Sequence, residues 1–101
     1  MDISDWRKRI DEVDAKLVDL LSDRSGCVME IGKIKHRRQL AVRDPQREER
    51  ILGRIVRNNK GPLSDDAVAR IFETIIRECI RLEKQVEKKQ GVAGGNTPRS
   101  R

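Results

Sequence analysis

The sequence predicts an all-α protein: a three-helix chain with one long N-terminal helix, of a kind that forms an intertwined helical homodimer. Three observations carry this. Apolar residues recur at three- and four-residue steps through three segments, the period of a helix face and not of a strand. Pro45 and Pro62 fall at the breaks between those segments, and no proline interrupts the first. The first segment is much longer than the others, so they cannot cover its apolar face from within one chain. An uncovered face of that size calls for a partner, most simply a second copy.

The first helix is expected from about Ser4 to about Gln39, with Ser4 as its cap and Asp5 favourable to the helix dipole. Its stripe is Trp6, Ile10, Val13, Leu17, Leu20, Leu21, Val28 and Ile31. Gly26 and Gly32 each weaken it by roughly 1 kcal/mol relative to alanine, which a long packed helix tolerates. At 1.5 Å per residue it spans about 50 Å. The second helix opens at Asp44-Pro45, a capping residue followed by a proline suited to the first helical position, and ends in Asn58-Asn59-Lys60-Gly61-Pro62. Its stripe is Ile51, Leu52, Ile55 and Val56. The third starts at Ser64, with Asp65 and Asp66 in the first turn, and carries Val68, Ile71, Phe72, Ile75, Ile76, Cys79, Ile80 and Val86 on one side.

The 101 residues fit one domain, over residues 1–90, followed by a tail over 91–101 whose Gly-rich composition predicts disorder. The net charge is +6, basic enough to suit an anionic partner. One Trp, one Phe and no Tyr leave almost no stacking platform for single-stranded nucleic acid. Cys27 and Cys79 lie far apart, and His36 is the only histidine, so neither a zinc site nor a disulfide framework is expected. Both cysteines read as small buried residues of a reducing compartment. No signal peptide or membrane span is expected, which places the chain in the cytoplasm.

The informative residues are charges that fall on the apolar stripes. Leu17, Arg24, Val28 and Lys35 lie within about 20° of one line along the first helix. Glu48 continues the second stripe, three before Ile51, and Glu83 continues the third, four after Cys79. Buried charges cost several kcal/mol each unless paired. A single one near a helix end usually snorkels to solvent, and a core network without a ligand stays open as a reading. Four across three helices point to a polar cavity between facing helices. With two cations on one helix and more at Arg7 and Arg47, that cavity would suit a small polyanion.

An ordered set of short motifs then carries a resemblance. Trp6-Arg7-x-x-Ile10-Asp11-x-x-Asp14, Leu20-Leu21-x-x-Arg24 and Ile31-Gly32-x-x-Lys35 come first. Val42-Arg43-Asp44-Pro45-x-Arg47-Glu48, Asn59-Lys60-Gly61-Pro62-Leu63 and Ile71-Phe72-x-x-Ile75-Ile76 follow. Over roughly residues 4–86 the chain resembles the all-helical chorismate mutases, dimers of three-helix chains that share two active sites. The resemblance implies the rearrangement of chorismate, a small dicarboxylate, to prephenate, with no cofactor and no metal. It gives Arg24 and Arg47 the substrate carboxylates and has Arg7 supplied in trans by the other chain. Lys35 resembles the lysine that donates to the ether oxygen. Glu48 resembles the acid that accepts from the ring hydroxyl, helped by the Asp44 region. Glu83 takes a second ether-contacting position, where it acts in its protonated form. Cys79 stands where a serine often holds a carboxylate, and a thiol is the weaker donor.

A Claisen rearrangement is unimolecular, so the implied mechanism is conformational clamping with electrostatic support of the ether oxygen. The nearest rival is isochorismate pyruvate lyase on a similar fold, against which Glu48 argues. A second rival, a nucleic-acid-binding bundle, rests on Lys33-Ile34-Lys35-His36-Arg37-Arg38 but has no groove-reading motif. A purely structural dimer is the third. No dehydratase or dehydrogenase activity is expected in this chain, and docking on another shikimate-pathway enzyme is left open.

Overall fold

The computed structural model describes residues 1–95, with side chains described as far as residue 89. It contains three helices: α1 (Ile3–Arg37), α2 (Pro45–Asn58) and α3 (Asp65–Gly95). The expected all-α, three-helix architecture is what is found.

Local chemistry explains each boundary. α1 starts two residues earlier than a Ser4 cap would allow. Asp2 is the cap: its Oδ1 accepts from the Asp5 amide, and Asp5 Oδ2 accepts from the Asp2 amide, both at 3.1 Å. This reciprocal pair satisfies two otherwise orphaned donors, and Ser4 lies inside the first turn. At the other end the Leu40 amide donates back to the Lys35 carbonyl at 2.8 Å and the Gln39 amide to that of His36 at 3.1 Å. That is a Schellman turn, usually closed by glycine, and here Gln39 takes the left-handed position at φ 58°.

α2 begins as expected. The Asp44 carboxylate caps the Arg47 amide at 3.1 Å and Pro45 occupies the first turn. The α2–α3 turn is organised by Asn59, whose amide nitrogen donates to the Leu63 carbonyl and to Asp65, both at 2.9 Å. Gly61 adopts φ 73°, where a side chain would be strained. Ser64 Oγ caps α3 through the Ala67 amide. α3 runs to Gly95, five residues into the segment expected to be a disordered tail, and residues 96–101 of that segment lie outside the described residues.

α3 packs against both other helices, whereas α1 and α2 do not pack on each other. Only the C-terminal part of α1 is used in this way. Its one buried residue is Gly32, whose missing side chain faces Glu83 and Val86. The buried apolar residues are Ile51, Ile76 and Val86, and no large side chain among the described residues is fully buried. The first half of the α1 stripe has no cover: Trp6 is 56% exposed and Leu17 52%. Cys27, expected to be buried, is exposed, because the packed face of α1 turns toward α3 on another side. No helix among the described residues is long and apolar enough to cross a membrane.

Candidate active site

Because α1 and α2 stand apart across α3, a gap remains between them. It is a cavity of about 310 Å³, within the range of small-ligand sites. Seven of the eight site residues named from sequence line it: Arg24 and Lys35 from α1, Asp44 at the head of α2, Arg47 and Glu48 in its first turn, and Cys79 and Glu83 from α3. Val28, Ile31, Ile51, Ile76 and Ile80 supply its apolar wall.

The eighth, Arg7, is not part of this cavity. It lies 17 residues before Arg24 on the same straight helix, about 25 Å away at 1.5 Å per residue. No rotamer spans that distance, so Arg7 is outside its own chain's site.

The Lys35 ammonium is held at two points. It donates to the Val42 carbonyl at 2.7 Å and lies 2.9 Å from Glu83 Oε1. The second contact is an ion pair set off the direction a hydrogen bond requires, and that buried oxygen accepts no hydrogen bond. An ammonium has three N–H groups, so Lys35 retains donor capacity for a ligand. Glu83 is only 8% exposed, sealed from one side by the close approach of Gly32. Arg24 Nη1 donates to Cys79 Sγ at 3.0 Å. The thiol, at the position expected to give a ligand carboxylate only a weak contact, accepts from an arginine of the neighbouring helix.

Glu48 is gripped by a residue that the sequence did not single out. Arg43 Nε donates to Glu48 Oε2 and Nη2 to Oε1, each at 2.9 Å. These hydrogen bonds hold the Glu48 carboxyl below its ordinary pKa. Burial opposes them, and the Arg43 charge, together with a backbone hydrogen bond in the Asp44 turn, assists. Arg43 is correspondingly held more firmly protonated. The lowered pKa means that the pair stabilises the fold above the ordinary carboxylate range. That contribution is lost as pH falls through the lowered value.

The charge balance is selective. Every acid lining the cavity is engaged: Asp44 as a cap, Glu48 by Arg43, Glu83 by Lys35. Among the described residues, Arg24 and Arg47 make no ion pair. No group of three His, Cys, Asp or Glu side chains among them could hold a metal ion.

A family model described as chorismate mutase type II matches residues 6–84. The chain belongs to this family. The chorismate mutase of Methanocaldococcus jannaschii is 31% identical over 84 residues, covering 82% of this chain and 85% of that protein. A bifunctional chorismate mutase/prephenate dehydratase of Stutzerimonas stutzeri is 35% identical over 83 residues, covering 77% of this chain and 23% of that protein. The chain thus spans about a quarter of the length of the bifunctional relatives it matches. Among solved structures, a chorismate mutase from Thermus thermophilus superposes with a TM-score of 0.80 at 34% identity, covering 81% of this chain and 93% of that one.

The matched span contains the cavity and all eight residues. The basic run at 33–38 divides in the fold: Lys35 lines the cavity, while Lys33 pairs with Glu30 at 3.1 Å on the outside.

Proposed function

We propose that this chain rearranges chorismate to prephenate as a homodimer, in a cytoplasmic step of phenylalanine and tyrosine biosynthesis. The observation that carries the reading is the pair of arginines without an acidic partner, Arg24 and Arg47, in a cavity whose acids are all engaged. Two such guanidinium groups suit the two carboxylates of one small substrate. Holding both would fold the enolpyruvyl arm over the ring, and for a unimolecular rearrangement that positioning supplies much of the catalysis.

As the C–O bond breaks, charge grows on the ether oxygen. The remaining donor of Lys35 meets it, preorganised by the Val42 carbonyl. Glu83, beside Lys35, can add a second donor only in its protonated form, since a carboxylate has nothing to donate. Glu48, held ionised, accepts from the ring hydroxyl. Arg7 reaches a substrate only in another copy, and the bare apolar half of α1 is the surface on which that copy packs. The fusion of such domains to a prephenate dehydratase in relatives supports a place beside the enzyme that consumes the product.

The test is incubation of purified protein with chorismate and, separately, with isochorismate. Saturable loss of chorismate with equimolar prephenate is expected. Pyruvate release from isochorismate without prephenate formation from chorismate would overturn the reading in favour of a lyase.

A further inference from the structure

Glu48 is useful as an acceptor only while it is charged and correctly turned. Its side chain is 20% exposed, whereas that of Arg43 is 57% exposed. Arg43 belongs to the α1–α2 connection, one residue before the α2 cap, so no helix fixes its direction. Its planar fork takes one hydrogen from each of two nitrogens to each of the two Glu48 oxygens. A fork-on-fork pair sets the plane of the carboxylate as well as its charge. Each carboxylate oxygen keeps a second acceptor site, so the grip leaves room for a hydroxyl donor.

The other charged groups around Glu48 do not do this. The charge of Asp44, in the same turn, opposes ionisation, while a backbone hydrogen bond in that turn favours it. On α1, Arg24 is bonded to Cys79 and Lys35 to Val42 and Glu83. On α3, Glu83 belongs to Lys35, while Glu73 and Arg77 line a smaller adjoining cavity without bonding to Glu48. Arg43 is the one side chain among the described residues that bonds to the Glu48 carboxylate.

We propose that Arg43 is a positioning residue for the rearrangement, turning and holding Glu48 toward the ring hydroxyl from outside the cavity. The assignment rests on the reading of Glu48 given above. It differs from a surface ion pair in what it predicts. An exposed pair contributes little to stability and nothing to a rate profile. A positioning arginine alters turnover while the fold stays intact.

The experiment compares wild type, Arg43→Gln, Arg43→Lys and Glu48→Gln by kcat/KM for chorismate from about pH 4 to 9, with thermal melts of each. Arg43→Gln is expected to lose about ten- to a hundredfold, the scale of a slightly misplaced catalytic group. Its acid limb should also move to higher pH, because the carboxyl returns toward its ordinary value. Arg43→Lys restores a charge without the fork, so its acid limb should recover more than its rate. In a Glu48→Gln background, adding Arg43→Gln should cost nothing further. Superimposable profiles for wild type and Arg43→Gln, alongside a damaged Glu48→Gln, would overturn the role of Arg43 alone. An undamaged Glu48→Gln would overturn the role given to Glu48 and that of Arg43 with it.

Discussion

The two halves of α1 follow the same apolar period and meet different fates. From Trp6 to Leu21 every stripe residue is exposed. From Arg24 to Lys35 the helix lies on α3, is interrupted by two cations, and forms one wall of the cavity. The first half is apolar where it has no cover, and the second is charged where it is covered. Each is an anomaly for an isolated chain. On the proposed reading, they divide one helix between assembly and chemistry.

The sharpest way to break this comparison is to place a charge in the first half. Leu17→Asp is expected to abolish folding as the proposed dimer, because an unpaired interfacial charge costs several kcal/mol and no side chain among the described residues is fully buried. Sedimentation and circular dichroism would show this. A folded, active Leu17→Asp monomer would show the bare stripe to be idle.

In the second half, Lys35→Ala alone mixes two effects, since it leaves the buried Glu83 carboxylate without its partner. Combining it with Glu83→Gln separates them. The double variant should melt near Glu83→Gln and lose roughly 10²–10³ in kcat, the value of one donor at a developing oxyanion. Glu83→Gln alone keeps an amide donor and should retain most activity. An equally active double variant would remove Lys35 from the chemistry.

A third experiment joins the halves. Arg7→Ala and Arg24→Ala chains mixed in equal amounts should regain about a quarter of wild-type activity. Half of the dimers are then mixed, each with one intact site. No recovery, with mixed dimers demonstrated, would confine each site to one chain.

The smallest effect concerns the end of α1. Gln39→Gly relieves a left-handed non-glycine residue and should stabilise by about 1 kcal/mol, seen as a melting temperature raised by several degrees. An unchanged or lowered melting temperature would mean that the turn carries no strain.

Helices and cavity were legible in the sequence for one reason: regular periodicity makes an out-of-place residue visible. Arg24, Lys35, Glu48 and Glu83 each stood where an apolar residue belonged, and the fold brings all four to one gap. Arg43 had no such signal. It sits in a connection without a period, so no position there counts as wrong, and its partner Glu48 is five residues away in chain order. The end of α1 was placed near Gln39, but the Schellman turn there was not foreseen, since one closed by glutamine lacks the glycine that marks it. Gly32 registered only as a helix weakness, because a sequence does not show that Glu83 and Val86 lie against its backbone.

The Val42 carbonyl is one of two anchors of the Lys35 ammonium, and it lies in the connection between α1 and α2. That connection therefore acts as a ruler. A residue inserted or removed between Gln39 and Val42 would draw the anchor off by up to about 3.5 Å, more than the length of the bond it makes. Lengthening at the Lys60–Gly61 turn touches no cavity residue. Grafted epitopes, tags and circularly permuted ends belong at that second turn, and the first is closed to them.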